Sequence, residues 1–295
     1  MHALIPESLG EMPGAITYDT PPSDASSLAA VGFFVPRYMG PPSDLALTAE
    51  MPQLKVLQLL TAGFEAALPH VRPGVTLCNA AGVHDASTAE LAVGLIIASL
   101  RHIDDFARAM PQGEWRYARH LALADRRVVI VGAGGVGRAI ARRLEPFETD
   151  VVLVGRTARP GVHGHDELDV LLPTADVVVL AVPLDDQTRG MVDAAFLGRL
   201  ADGALLVNMA RGPVVRTDDL LSEVASGRLI AAMDVTDPEP LPPEHPLWRT
   251  PGVLISPHVG GNTSAFLPRA RRLVAAQLAA WQEGAPLRNV IAAAR

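Results

Sequence analysis

The sequence predicts an α/β protein, because apolar strands and helical segments alternate regularly through its second half. Six runs rich in valine, isoleucine and leucine have the length of buried strands. They are VVIV (128–131), VVLV (151–154), VVVLA (177–181), LLVNM (205–209), LIAAM (229–233) and VLI (253–255). Helix-like stretches such as RAIARRLEPF (138–147) and TDDLLSEVASG (217–227) lie between them. Continuous apolar strands of this kind predict a doubly wound parallel sheet with helices on both faces.

The first hundred residues predict a second, smaller α/β unit. Four short apolar runs are separated by proline-containing turns. They are AITY (15–18), VGFFV (31–35), VLQLL (56–60) and VTLC (75–78). Next, residues 87–110 predict a helix that starts with the capping-box spacing of Ser87 and Glu90. At ~1.5 Å per residue this helix would be about 35 Å long and could join two domains.

The domain limits follow from these elements. The first domain is expected to cover residues 1–97 and the second residues 98–266. The last predicted helix, residues 266–284, lies beyond the sixth strand of the second half. We expect it to return to the first domain, so that residues 267–295 complete that domain.

Composition limits the function classes. The formal net charge of −7 does not favour nucleic acid as a partner. The longest apolar run, LAVGLIIASL (91–100), is about half of the ~20 residues that a membrane span needs, so no membrane association is expected. Cys78 is the only cysteine, which excludes an internal disulfide and fits a reducing cytoplasm. The histidines show no metal-ligand spacing on a predicted helix, and no metal is expected.

A glycine pattern after the strand VVIV indicates the ligand of the second domain. Gly132, Gly134 and Gly137 form G-x-G-x-x-G between that strand and an amphipathic helix. In this setting the first glycine allows a tight turn, the second a close approach of a diphosphate, and the third close packing of helix and strand. The helix N-terminus adds free N–H groups for the phosphates. We therefore predict a dinucleotide-binding domain.

The end of the strand VVLV predicts which dinucleotide binds. NAD-specific folds of this kind carry an acidic residue there, which binds the ribose hydroxyls. This chain instead has Gly155, Arg156, Thr157 and Arg159. Two guanidinium groups and a hydroxyl suit the 2′-phosphate of NADPH or NADP. A solvated turn with no cofactor preference is the alternative, and NAD or NADH is then the second cofactor.

Three polar side chains follow late strands and suggest the chemistry. Arg211, Glu239 and His258 come at or just after the carboxyl ends of strands, where open parallel sheets bind ligands. An arginine can bind a substrate carboxylate, and a histidine can protonate a ketone oxygen as hydride arrives at carbon. A glutamate can orient the histidine and favour its charged form. Asp237 and Glu244 compete with Glu239 for this role, but the spacing from Asp234 favours Glu239.

Four segments give the sequence a family resemblance. They are AVPLDDQTRGMV (181–192), VNMARGPVV (207–215), AMDVTDPEPLP (232–242) and SPHVGGNT (256–263). With the glycine loop, they resemble the D-isomer-specific 2-hydroxyacid dehydrogenases over nearly the whole chain. The resemblance implies two Rossmann-like domains, with the dinucleotide-binding domain inserted in a smaller flavodoxin-like substrate domain. It also implies reduction of a 2-oxo acid to a D-2-hydroxy acid and a homodimer formed through the nucleotide-binding domains.

The resemblance assigns roles to individual residues. It implies Arg211 as the carboxylate clamp, Glu239 and His258 as the acid–base pair, and Asp234 near the nicotinamide carboxamide. In TAGF (61–64), the backbone amides of Ala62 and Gly63 are implied to hold the substrate carboxylate. Further cofactor contacts are implied at Gly135, Val136, Val182, Pro183, Thr188 and Ala210. Trp115 matches a family dimer-contact segment, and ordinary packing is its alternative role.

Two differences from related dehydrogenases narrow the choice of substrate class. Phosphite dehydrogenases of this superfamily have lysine where this chain has Ala62, and formate dehydrogenases have glutamine in place of Glu239. A 2-oxo or 2-hydroxy acid is therefore the favoured substrate class, with glyoxylate and hydroxypyruvate as leading examples. The alternative from another class is a dinucleotide-sensing binding protein, because the family includes corepressors with this fold.

Overall fold

The computed structural model describes residues 1–22 and 24–292 and divides the chain into two compact units. The first unit runs from Met1 to His84 and resumes at Thr263, and the second covers Asp85–Asn262. The predicted domain limits after residues 97 and 266 stay predictions. In the structure the second unit begins at Asp85, and the helix Asp85–Arg101 lies entirely within it.

Strands and helices alternate in both units. The strands are β1 (His2–Pro6), β2 (Ala15–Tyr18), β3 (Val31–Phe34), β4 (Val56–Gln58), β5 (Thr76–Cys78), β6 (Arg127–Val131), β7 (Asp150–Val154), β8 (Val177–Leu180), β9 (Leu205–Asn208), β10 (Ile230–Met233), β11 (Val253–Ile255) and β12 (Val290–Ala292). The α-helices are α1 (Ala25–Ala29), α2 (Pro42–Ala46), α3 (Asp85–Arg101), α4 (Ile103–Ala109), α5 (Gly135–Leu144), α6 (Leu168–Leu171), α7 (Ala194–Leu197), α8 (Thr217–Ala225) and α9 (Phe266–Glu283).

The first unit contains a sheet of order β12-β5-β4-β3-β1-β2. The strands β1 to β5 are parallel, and their order is that of flavodoxin-like folds. The strand β12 closes the β5 edge in antiparallel pairing. The four predicted strands are confirmed, whereas β1 and β12 were not predicted.

The helix α9 completes the core of the first unit, as expected for the last predicted helix. Phe266, Ala270, Val274 and Leu278 recur every four residues and are all buried. This spacing puts them on one helix face, which packs with Ile5, Phe33 and other sheet residues in a single apolar cluster.

The second unit contains a fully parallel sheet of order β11-β10-β9-β8-β6-β7. Alternate side chains of β6 enter separate cores: Val129 and Val131 join one buried cluster, while Val128 and Ile130 join another. Both faces of the sheet are therefore covered, which explains why its strands are apolar without alternation. All six predicted strands and the doubly wound sheet are confirmed.

The prediction of one helix over residues 87–110 is wrong. The segment forms two helices, because His102 adopts a left-handed backbone (φ 52°) and separates α3 from α4 at a bend of 67°. The helix α3 also begins at Asp85, two residues before the predicted start.

No single helix in the described part of the chain has the length and hydropathy of a membrane span. The bent pair Asp85–Arg101 and Ile103–Gln112 meets that criterion jointly, by length and composition only.

Candidate active site

The glycine loop joins β6 to α5 in the second unit. Gly132 has φ +122°, and a Cβ there would lie 2.3 Å from the Ala181 carbonyl oxygen. A Cβ on Gly137 would lie 1.8 Å from the Gly132 oxygen, so both positions require glycine. Apart from its two neighbouring residues, no atom of the described chain lies within 4 Å of a Cβ position at Gly134, and the N-cap residue Gly134 provides no side-chain cap to α5. An open space before uncapped N–H groups suits a diphosphate.

A cleft of about 610 Å³ opens beside this loop. It collects many residues predicted to contact the cofactor from the ends of three neighbouring strands. These are Gly132, Gly134, Arg156, Arg159, Val182, Pro183 and Thr188. Thr157 is exposed but does not line the cleft, and neither do Gly135, Val136, Gly137, Ala210 or Asp234. The size and glycine lining of the cleft therefore fit the adenosine and diphosphate end of a dinucleotide.

A short hairpin after β7 presents the two arginines. Arg159 and Val162 exchange backbone hydrogen bonds of 2.9 and 2.8 Å around the turn at Gly161. A Cβ on Gly155 would lie 2.8 Å from Nη1 of Arg159. The guanidinium thus lies where the side chain of an acidic residue at position 155 would begin.

Arg156 forms an ion pair that the sequence did not suggest. Its Nη2 donates to Oδ2 of Asp185 at 2.6 Å, from the hairpin after β7 to the loop after β8. The Arg156 side chain is 68% exposed and that of Asp185 is 35% exposed. The pair therefore lies at the solvent side of the cleft that Arg156 lines.

Asp185 also organises its own loop. Its Oδ1 accepts hydrogen bonds from the backbone N–H groups of Gln187 and Thr188, both at 3.0 Å. Partial burial raises the pKa of Asp185, but these bonds, the Thr188 hydroxyl and the Arg156 charge together bring the pKa below its usual value. Asp185 is therefore ionised at neutral pH.

The predicted acid–base pair forms after β10 and β11, at the opposite edge of the sheet from β7. Glu239 accepts a hydrogen bond from His258, with 2.5 Å between Oε1 and Nδ1. The two side chains are 38% and 34% exposed, so both remain accessible. A carboxylate on Nδ1 fixes the ring orientation and leaves Nε2 to serve as the proton donor. Asp237 and Glu244 have no such contact with His258 in the described chain.

Asp234 holds the loop that carries His258. It is 4% exposed, and its Oδ1 accepts from the Ser256 hydroxyl at 2.7 Å and from the Val259 N–H at 3.0 Å. Its Oδ2 accepts from the Gly260 N–H at 2.9 Å. His258 itself has φ 51°, a left-handed conformation that costs energy for a non-glycine residue and needs such support. Asp234 thus anchors this loop, and its predicted position near the nicotinamide carboxamide stays a prediction.

Arg211 follows β9 on a loop that is held by the buried side chain of Asn208. Asn208 is fully buried, accepts from the Ala210 N–H at 3.0 Å and donates to the Arg211 carbonyl at 3.1 Å. The Arg211 Nη1 donates to the Ala210 carbonyl at 2.7 Å. A Cβ on Gly212 would lie 1.8 Å from the Thr236 oxygen, so the loop packs directly on that backbone. Sequence reasoning missed Asn208, although a polar residue inside an apolar strand was the available signal.

The predicted substrate loop lies in the first unit, after β4. The Ala62 carbonyl accepts from Asn79 Nδ2 at 2.6 Å, and the Gly63 carbonyl accepts from the Thr61 hydroxyl at 2.7 Å. Within the described chain, the N–H groups of Ala62 and Gly63 have no hydrogen-bond acceptor. The loop is therefore held by its carbonyls while two amides remain available to an anion.

Sequence comparison relates the chain to known enzymes. Residues 93–260, more than half of the chain, match the family described as D-isomer specific 2-hydroxyacid dehydrogenase, NAD binding domain. The human glyoxylate reductase/hydroxypyruvate reductase is 33% identical over 255 residues, covering 82% of this chain and 78% of the human protein. The glyoxylate reductase of Thermofilum pendens is 32% identical over 249 residues, covering 79% of this chain and 73% of that protein.

Structural comparison agrees over almost the full length. The NADPH-dependent glyoxylate/hydroxypyruvate reductase of Sinorhizobium meliloti, solved with NADP and sulfate, has a TM-score of 0.85 and 27% identity, with 99% of this chain and 98% of that chain covered. A dehydrogenase from Xanthobacter autotrophicus, solved with NADPH and MES, has a TM-score of 0.83 and 26% identity, with the same coverage. This chain therefore belongs to the D-isomer specific 2-hydroxyacid dehydrogenases.

Proposed function

We propose that this protein reduces a small 2-oxo acid to a D-2-hydroxy acid and prefers NADPH. The observation that carries the proposal is the 2.5 Å contact between His258 and Glu239 on a loop anchored by buried Asp234. An accessible imidazole oriented by a carboxylate is the group that ketone reduction requires.

The chemistry divides between cofactor and protein. When bound, the dinucleotide would supply the hydride that reduces the carbonyl carbon. As hydride arrives at carbon, His258 donates a proton from Nε2 to the ketone oxygen, and the two electrons of the C=O π bond form the new O–H bond. Glu239 stabilises the charged imidazole before this transfer. His258 then regains a proton from solvent for the next turnover.

Charged and backbone donors suit the carboxylate of the substrate. In the second unit, Arg211 offers a planar guanidinium, which binds carboxylates through two parallel hydrogen bonds. In the first unit, the free amides of Ala62 and Gly63 are proposed to bind the same class of group. The Asn208 side chain supports the Arg211 loop through hydrogen bonds to its backbone at Ala210 and Arg211.

The adenosine end supports NADPH as the preferred cofactor. Gly155 stands where NAD-specific proteins have an acid, and it is followed by Arg156, Thr157 and Arg159, which can bind a phosphate. The structural relatives from S. meliloti and X. autotrophicus were solved with NADP and NADPH. Other proposed cofactor contacts are Gly135, Val136, Val182, Pro183, Thr188 and Ala210.

Turnover tests this proposal directly. Loss of NADPH and of NADH absorbance is measured with glyoxylate, hydroxypyruvate and larger 2-oxo acids, in wild type and in Gly155→Asp/Arg156→Ala. We expect turnover with small 2-oxo acids, a wild-type preference for NADPH of about tenfold from exposed charge-assisted contacts, and loss of that preference in the double variant. Cofactor binding without turnover of any acid would favour the dinucleotide-sensing alternative.

The second unit also carries an apolar surface that suits a homodimer. Trp115 and Tyr117 are 93% and 92% exposed, and Met110 is 77% exposed. Ordinary packing of Trp115, the alternative role, is therefore not observed. Large exposed aromatic groups are typical of interface centres. A Trp115→Ser/Tyr117→Ser variant should sediment as a monomer, whereas a dimeric variant would contradict this assignment.

A further inference from the structure

Asp185 places a negative charge against the group proposed to bind the 2′-phosphate. Its Oδ2 lies 2.6 Å from Nη2 of Arg156. The contact joins segments that are 29 residues apart and bridges the hairpin after β7 to the loop after β8. Arg156 is thus already paired before a phosphate arrives, and the carboxylate is held in place by Gln187 and Thr188.

This pairing affects a phosphate in two ways. A phosphate on Arg156 must share the guanidinium with Asp185 or displace it. If it binds the same guanidinium, it also comes within roughly 4–6 Å of the carboxylate, where like charges repel. Because the pair is exposed, solvent reduces both effects without removing them.

We propose that Asp185 is a specificity-determining residue that weakens the binding of NADP(H) relative to NAD(H) by holding Arg156. This inference rests on the proposed role of Arg156 at the 2′-phosphate. A carboxylate here makes the cofactor preference smaller than two arginines alone would give.

The substitution Asp185→Asn separates the charge from the fold of the loop. The asparagine Oδ1 can still accept from the N–H groups of Gln187 and Thr188, so the loop keeps its hydrogen bonds. The asparagine loses the negative charge that holds Arg156. Asp186 offers a matched control, because it is the next residue in the chain, is exposed, and loses the same charge in Asp186→Asn.

The experiment measures dissociation constants in the full-length protein without substrate. NADPH and NADH are titrated by their fluorescence into wild type, Asp185→Asn and Asp186→Asn. The fragments 2′,5′-ADP and AMP, which differ by the 2′-phosphate alone, are titrated by calorimetry. We expect Asp185→Asn to raise the Kd ratio of NADH to NADPH by roughly two- to fivefold, as for an exposed charge pair. The AMP to 2′,5′-ADP ratio should rise equally, and Asp186→Asn should change both by less than about twofold.

The outcomes distinguish this inference from the proposed function. A wild-type protein that binds NADPH no better than NADH contradicts the proposed preference, while the change caused by Asp185→Asn still tests the inference. A ratio in Asp185→Asn that equals that of Asp186→Asn overturns the inference. A lower ratio also overturns it, because Asp185 would then orient Arg156 for the phosphate.

Discussion

Two ion pairs lie beyond the strand ends of the same sheet and have nearly the same length. His258 and Glu239 are 2.5 Å apart, and Arg156 and Asp185 are 2.6 Å apart. Their support differs: the His258 loop is fixed by three hydrogen bonds to a carboxylate that is 4% exposed. Arg156 extends from an exposed hairpin, and its side chain is 68% exposed.

The comparison shows that the distance between two paired charged groups does not indicate their function. A proton donor must keep its position to within a fraction of an ångström, so its backbone has to be fixed from the protein interior. A phosphate-binding arginine only needs to supply charge near a flexible ligand. We therefore expect catalysis to depend on the fixed pair and cofactor choice on the exposed pair.

Removal of His258 should have the largest effect. His258→Ala eliminates the proton donor and should lower kcat by ~10²–10⁴, the usual contribution of general acid–base catalysis. The measurement is steady-state turnover at saturating NADPH, together with the Kd of NADPH. That Kd should change little, because the adenosine cleft is at other strand ends.

A second histidine–glutamate pair provides the control. His163 contacts Glu167 at 2.7 Å, with side chains that are 46% and 39% exposed. His163→Ala removes a pair of similar length and exposure and should leave kcat within about twofold, as is usual for exposed pairs. Near-normal turnover in a folded His258→Ala protein would refute the assigned role.

Exchange of arginine for lysine should affect the two sites unequally. Arg211→Lys keeps the charge but loses the planar geometry, and should lower kcat/KM for the 2-oxo acid by roughly 10- to 150-fold. Arg156→Lys, the matched change at the exposed pair, should raise the KM for NADPH by less than about fivefold, because lysine binds phosphate as a point charge. Equal losses in both variants would contradict the distinction between bidentate carboxylate binding by Arg211 and point-charge phosphate binding by Arg156.

The buried anchor should matter more for stability than the exposed carboxylate. Asp234→Asn puts an amide NH₂ against a backbone N–H or the Ser256 hydroxyl, and should lower the free energy of unfolding by about 1–3 kcal/mol. Asp185→Asn should cost less than ~1 kcal/mol, since solvent screens its pair. Denaturant titrations of the two variants and wild type measure both values, and equal losses would show that Asp234 is not the stronger support.

The sequence predicted the strands of the second unit better than the edge elements of the first unit or the break in the long helix. Apolar runs identified all six strands of the second unit, because buried parallel strands are continuously hydrophobic. It missed β1 and β12, since His2–Pro6 contains a polar residue and a proline and Val290–Ala292 is very short. The break at His102 depends on one left-handed residue inside an otherwise helical pattern.

Site residues show the same limit. Arg211, Glu239 and His258 could be proposed because each follows a strand end, and the contact of His258 with Glu239 agrees with the choice of Glu239 from its spacing to Asp234. The contact of Asp185 with Arg156 could not be proposed, because it depends on how the loops after β7 and β8 are positioned in space. Asp234 was predicted near the nicotinamide. Its hydrogen bonds to the His258 loop could not be predicted, because they depend on where that loop turns.

The smallest expected effect concerns salt. An exposed arginine binds phosphate through charges that ions screen, and the Debye length falls from about 10 Å at 0.1 M to about 3 Å at 1 M ionic strength. Raising NaCl from 0.05 to 0.5 M should therefore raise the KM for NADPH by roughly three- to fivefold and that for NADH by less than twofold. The kcat at saturating cofactor and substrate should stay within about twofold, because both members of the His258–Glu239 pair are partly buried and are therefore screened less than Arg156. These constants are measured with a single 2-oxo acid at constant pH. Equal salt dependence of the two cofactors would show that the exposed arginines do not distinguish them, and a strong fall in kcat would show that the catalytic pair is no better protected than the exposed one.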